Sequence, residues 1–189
     1  MKLFWAALSG VLCTAHISFA EPRVTYNAYG MPGLVDMPSA QSAPDAELSF
    51  SVSQSGKSLR NTLRFQIAPR LTGAFRYSSI ERPTQTLYDR SFDLRYRLLD
   101  ETQLRPAVAV GLQDFIGTGV YSGEYVAASK TFGPVVATAG IGWGRLGSHN
   151  SFDNPLGLIS SRFDTRDAGF TGTGGRIESA RWFRGPAAF

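Results

Sequence analysis

Cysteine, histidine and long apolar runs are what this chain has least of. Its single cysteine, Cys13, has nothing to pair with, so a disulfide framework is excluded. A Cys-based metal site or nucleophile is excluded too, once the segment carrying Cys13 is removed. No stretch after residue 20 offers the roughly 18 consecutive apolar residues of a helical membrane span. Basic residues outnumber acidic ones, 19 to 15, yet the arginines are scattered and form no run. A nucleic-acid interface needs a clustered basic face, so no nucleic acid is expected as partner. Beyond the leader only His149 remains of the two histidines, in a Gly/Asn/Ser-rich stretch with Asp153 nearby. One loop histidine does not make an acid–base site, and no enzyme activity is expected. Gly172-Thr173-Gly174-Gly175 lacks the Lys-Ser/Thr of a phosphate loop. Asp114 and Glu124 flank a glycine-rich connection whose spacing matches no calcium loop. The sequence therefore calls for no metal, no cofactor and no catalytic residue.

What the chain does have is alternation. Leu63, Phe65 and Ile67 are interleaved with Thr62, Arg64 and Gln66. Phe92, Leu94, Tyr96 and Leu98 are interleaved with Asp93, Arg95 and Arg97. A period of two is the signature of a strand with one apolar and one polar face. Seven such segments are predicted, at about 47–54, 59–68, 70–78, 89–99, 104–113, 120–131 and 135–145. With the second turn centred on Pro69, Phe65 faces Gly73 and Arg64 faces Ala74, a large-with-small register. Short connections are expected near Pro69, Asp100 and Gly133, longer ones between them, and a long outer loop over 146–180. This is the pattern of an all-β, antiparallel, up-and-down outer-membrane barrel. A soluble β-sandwich used for adhesion would show the same alternation, with a second sheet in place of lipid.

The ends are different in kind. Lys2, the apolar run to Ile17 and Ser18-Phe19-Ala20 read as a secretory signal peptide over 1–20, cleaved after Ala20. Lipidation of Cys13 is disfavoured by Leu12 before it. Residues 21–46 are rich in Pro and Gly and read as an extended segment, lying in the lumen or in the periplasm.

Seven ionisable residues fall in mid-strand: Arg64, Arg76, Asp93, Arg95, Arg97, Glu124 and Lys130. A cation facing lipid near the midplane would cost about 2–4 kcal/mol, so all seven are expected on a lumen face biased toward arginine. Such a face would favour anionic solutes, including an acidic polysaccharide. Tyr77, Tyr88, Phe115, Tyr121, Tyr125 and Trp143 lie near the longer connections and are expected to form an aromatic girdle at the interface. A general porin or small-solute channel is the alternative use of such a barrel.

Several longer motifs carry a resemblance. Asn27 to Ala40 (Asn-Ala-Tyr-Gly-Met-Pro-Gly-Leu-Val-Asp-Met-Pro-Ser-Ala), Phe65 to Arg70, Tyr88 to Asp93, Gly111 to Gly119, Gly142-Trp143-Gly144-Arg145 and Asn154-Pro155-Leu156 occur in that order. Together they resemble the YjbH family. The resemblance implies an outer-membrane β-barrel protein of a Gram-negative bacterium, associated with exopolysaccharide production. Membrane lipid and other exopolysaccharide export proteins are then expected partners, beside the anionic polysaccharide that the arginine-biased face favours. Members are several times longer, so this chain is expected to be the N-terminal portion of a larger barrel.

Overall fold

The computed structural model describes residues 23–168 and 176–188. The leader with Cys13 and the glycine stretch 172–175 lie outside the described residues. Two short strands come first, β1 (Gly33–Leu34) and β2 (Met37–Pro38), paired as a small hairpin. Seven long strands follow: β3 (Leu48–Ser55), β4 (Ser58–Ala68), β5 (Leu71–Glu81), β6 (Thr86–Leu99), β7 (Ala107–Gly117), β8 (Gly123–Phe132) and β9 (Val135–Gly142). Each pairs antiparallel with the next, in sequence order. A two-residue strand, β10 (Arg176–Ile177), adds to the far end of β7. No α-helix occurs among the described residues. The remaining regular structure is three 3-10 turns at Pro155–Leu158, Ser161–Phe163 and Ser179–Arg181.

All seven expected strands form, and the predicted register holds: Phe65 lies opposite Gly73 and Arg64 opposite Ala74. Two tight turns follow from their glycines. Gly56 (φ 55°) and Gly133 (φ 58°) supply the left-handed conformation that two-residue hairpins need. The expected alternation of short and long connections does not hold. The β3–β4 turn is as tight as those at Pro69 and Gly133, and the connection expected to be short, near Asp100, is the longest within the sheet, at 100–106. Pairing of β5 with β6 runs out to Glu81 and Thr86 and absorbs most of the loop expected between them.

The sheet curls. Ser58, at the start of β4, shares a 2.7 Å hydrogen bond with Tyr121 in the β7–β8 connection, across the concave side. Burial inverts the soluble pattern. On the concave face Arg64 is 1% exposed and Arg76 and Arg95 are fully buried, while Phe50 (65%) and Ile67 (49%) on the convex face stand open. The convex face carries Leu48, Val52, Leu63, Phe65, Phe75 and Phe92, all exposed. The interior of this molecule is polar and its exterior apolar.

Candidate functional site

The concave face is filled by the chain's own N-terminal segment, which contains the motif Asn27 to Ala40. That motif folds on itself first. Asn27 Oδ1 accepts the N–H groups of Tyr29 (3.0 Å) and Met31 (3.1 Å), an Asx-type turn that aims the Tyr29 ring inward. Gly30 (φ 76°) then passes so close to Thr62 and Ser51 that no Cβ would fit.

The two walls that receive this segment differ in chemistry. Strands β4–β6 present arginines. Arg76 pairs with Asp93 and donates to the Tyr29 carbonyl (3.1 Å) and to Ser91 (3.1 Å). Arg95 donates to the Gln41 carbonyl and to Ser42 (3.2 Å). Arg64 donates to Glu47 (2.6 Å) and Ser49 (2.7 Å) and lies 4.0 Å from the Tyr26 ring centre. Strands β7 and β8 present small residues, and Ala40 packs on Ala107 and Ala109 while its N–H reaches Ser129 Oγ at 2.8 Å. Long cationic side chains on one wall reach carbonyl groups that have no strand partner. Alanine and glycine on the other leave room for the backbone itself. Buried polar groups persist because they are paired in this way.

Tyr29 is the hub. The guanidinium groups of Arg60, Arg76 and Arg145 lie 4.6, 5.0 and 4.2 Å from its ring centre, and the Tyr121 ring meets it edge-on at 5.4 Å. Burial raises the Tyr29 hydroxyl above its ordinary pKa, so it stays neutral. Arg145 also clamps Asp36 (2.8 Å) at the β1–β2 turn and reaches Gln113 (3.3 Å). Motifs far apart in sequence thus meet here: the Tyr29 loop, Asp93, Gln113 and Arg145.

Four of the seven expected lumen residues, Arg64, Arg76, Asp93 and Arg95, form this interior. Arg97 shares their face but sits at the turn end, half-buried, with Asp100 2.9 Å away. Glu124 and Lys130 are corrections. Glu124 lies opposite Leu112, and Lys130 two pairs beyond Ala128, so both have the convex parity. The inward residues of β8 are Tyr125, Ala127 and Ser129. Charge alone misassigned the faces of this strand. Lys130 avoids the apolar face by reaching Glu101 (3.1 Å) and Thr102 in the 100–106 connection. Glu124 is covered: Arg166 binds it through two nitrogens (2.6 and 3.0 Å) and the Phe183 N–H donates to it at 2.9 Å.

The aromatic expectation divides similarly. Tyr77 and Tyr88 stack at 6.1 Å beside the 82–85 connection on the convex side. Tyr121 and Tyr125 point inward instead and are buried. Trp143 is covered edge-on by Phe183 at 5.2 Å. Phe115 is half-buried in the irregular pairing of β6 with β7, lining a small cavity with Trp182. His149 and Asp153 are exposed in the segment after β9.

Of that stretch, expected as a long outer loop over 146–180, residues 146–168 fold back over the end of β8. Asn154 holds it by donating to the Phe163 and Phe183 carbonyls, both at 2.8 Å. Glu124→Ala is expected to free Arg166 and the Phe183 N–H, and limited trypsin digestion should then cut at Arg166 and Arg181 before any strand is lost. Acid should loosen the other anchor. Arg64, and after it Tyr26, hydrogen-bonds the Glu47 carboxylate and holds its pKa below the ordinary value. A depressed folded-state pKa gives stability that is present above the unfolded value, about 4.3, and is lost as pH falls through the folded value. Glu47→Gln is expected to flatten that part of the acid dependence, read as urea midpoints in detergent micelles across that range.

The described residues thus form an all-β, antiparallel, curled half-barrel sheet with exposed apolar side chains on its convex face and a concave face filled by its own N-terminal segment. The family model YjbH, described as "Exopolysaccharide biosynthesis protein YbjH", matches residues 25–189, and the chain belongs to this family. It is 36% identical over 170 residues to the "Uncharacterized lipoprotein YjbH" of Escherichia coli (strain K12), an alignment covering 85% of this chain. The chain spans 24% of the length of that curated relative. No solved structure matches it.

Proposed function

We propose that this chain forms part of the wall of an outer-membrane β-barrel, with its own N-terminal segment as an internal plug, and that it assists exopolysaccharide export or assembly without catalysing a reaction. The observation that carries the reading is the inverted polarity: three arginines fully or almost fully buried on the concave face, and a continuous band of exposed Leu, Phe, Val and Ile on the convex one. Water does not stabilise that band, but hydrocarbon does, and the interior needs no lipid. The family description supplies the exopolysaccharide connection. The lipoprotein name of the relative agrees with a place in the bacterial envelope.

The alternatives are weaker on specific grounds. A β-sandwich needs a second sheet over the convex face, and among the described residues none lies there. An open porin needs a clear lumen, and here Tyr29, Met31 and Ala40 are buried within the concavity. An exopolysaccharide is the proposed partner on the family description, and Arg64, Arg76 and Arg95, which already bind the plug, no longer argue that it is anionic. Membrane lipid and other exopolysaccharide export proteins complete the proposed partners. The test is deletion of the gene in its own host, with outer-membrane fractionation and heat-modifiable gel migration of the complementing protein. Expected are a heat-modifiable outer-membrane band and a fall in secreted polymer with unchanged uptake of small solutes. A water-soluble protein, or unchanged polymer, would overturn it.

A further inference from the structure

Among the convex residues of β6, one is out of keeping with its neighbours. Arg90 is exposed on the face that otherwise carries Tyr88, Phe92, Leu94, Tyr96 and Leu98. The register sets its surroundings. Arg90 lies opposite Tyr77 on β5. One row toward the strand middle come Leu63, Phe75 and Phe92, with the two phenyl rings 5.1 Å apart. One row toward the 82–85 connection come Leu59, Ser79 and Tyr88. The Arg90 guanidinium lies over the Tyr77 ring, 5.7 Å from its centre. Tyr88 stacks on the same ring at 6.1 Å, with 18° between the planes.

Arg90 also marks where the apolar run of its strand ends. From Leu98 to Arg90 the strand covers about 27 Å, or about 20 Å along the bilayer normal at the tilt usual for membrane strands. The apolar band of such barrels is about 25 Å tall. A guanidinium at that height stands at the margin of the hydrocarbon, where the penalty for a cation has largely gone. Its stem stays on apolar surface while its head reaches the headgroup level. Beyond it Lys57 and Arg82 are exposed beside Glu81, whose N–H donates to the Lys57 carbonyl at 2.9 Å, so this corner carries a cationic excess. Cations at the opposite end of the sheet are neutralised within the chain: Arg70 and Arg97 pair with Asp100, and Lys130 with Glu101. Arg90 rests on a ring, which orients its charge without cancelling it.

We propose that Arg90, Tyr77 and Tyr88 form a site for the phosphate-bearing headgroup of a membrane lipid whose acyl chains lie along the Leu63–Phe75–Phe92 row. This rests on the barrel-wall reading above and adds the chemistry of one lipid position. The guanidinium fork matches two phosphate oxygens at once. Tyrosine rings suit the headgroup level, with an apolar body toward the chains and a hydroxyl toward water. Lys57 and Arg82 draw anionic lipid toward this corner. A free phosphate would engage the guanidinium and leave the apolar row beneath it bare. A lipid engages the guanidinium, the tyrosines and that row together, and this decides between the two sources.

The test uses the gene product made in its own host and purified in its heat-modifiable form in an uncharged detergent. Native mass spectrometry compares retention of dioleoyl phosphatidic acid with that of dioleoylglycerol, which has the same chains and no phosphate. The wild type is expected to favour the phosphate lipid. Arg90→Gln is expected to lower that preference about fivefold, the effect of one cation at an anionic lipid surface. Lys130→Gln, which removes a cation already paired with Glu101, is expected to leave it unchanged. An unchanged preference in Arg90→Gln, or an equal fall in Lys130→Gln, would overturn the proposal. A second measurement needs no variant: equimolar inorganic phosphate should not displace the phosphate lipid from the wild type, and displacement would overturn the lipid as the source. If the protein is heat-modifiable in the outer membrane but shows no such preference, the lipid site alone fails. If it is absent from that membrane, the barrel-wall reading fails and the site falls with it.

Discussion

Arg76→Met is expected to lower folding stability by about 3–5 kcal/mol, the loss typical of a buried charge left without its partner. Arg76 is fully buried and Asp93 nearly so. The substitution leaves the Asp93 carboxylate in the interior with the Asp114 N–H (2.9 Å) as its remaining donor. It also frees the Tyr29 carbonyl, which holds the plug against β5. Adding Asp93→Asn should return at least about half of the loss, because the amide keeps an acceptor for Asp114 and removes the unpaired charge. Urea titration of the heat-modifiable band in detergent micelles measures both variants. If the single variant costs no more than about 0.5 kcal/mol, the range of surface substitutions, the buried pair is not what holds this interior together.

The second large effect concerns a glycine. Gly111 lies opposite Tyr125, and a Cβ built on it would fall within the phenol ring. Gly111→Val is expected to cost about 1–3 kcal/mol by overpacking, and more if Tyr125 cannot move. Tyr125 is boxed in: it lines a narrow space with Asn27, Tyr29, Met31 and Asp93. Tyr125→Ala alone opens a cavity. In the double variant the valine occupies part of it, so the combined loss should fall short of the two single losses added together. Additive losses in the same urea assay would mean that ring and glycine do not touch.

Alternation carried most of the fold into view. Strand existence, the convex apolar set and the Phe65–Gly73 register all follow from period-two patterning and one proline-marked turn. Arg64, Arg76 and Arg95 were legible as inward-facing because each sits between two large apolar neighbours. Strand β8 was not, because its inward set is Tyr125, Ala127 and Ser129, and its outward set includes Glu124 and Lys130. There the polar residues mark local anchors, Arg166 and the 100–106 connection, and do not mark the wet face. Arg60, Arg145 and Arg166 were missed for a related reason. Their roles depend on where Tyr29, Asp36 and Glu124 arrive in space, and no short-range spacing encodes that. One signal was present: Asn27, Tyr29, Asp36 and Arg145 all belong to the motifs that mark the family. The connection lengths were read from composition, which does not reveal how far a hairpin such as β5–β6 stays paired.

The most direct measurement is a spin-label scan. Single cysteines, in a background without Cys13, would be placed at Leu48, Phe50, Val52, Ile67, Phe92 and Val135 on the convex face, and at Thr62, Ala74 and Ala109 on the concave one. In outer-membrane vesicles the convex labels should collide freely with oxygen and be shielded from a water-soluble nickel chelate, with the concave labels immobile and shielded from both. Equal access of the chelate to the convex positions would contradict the account.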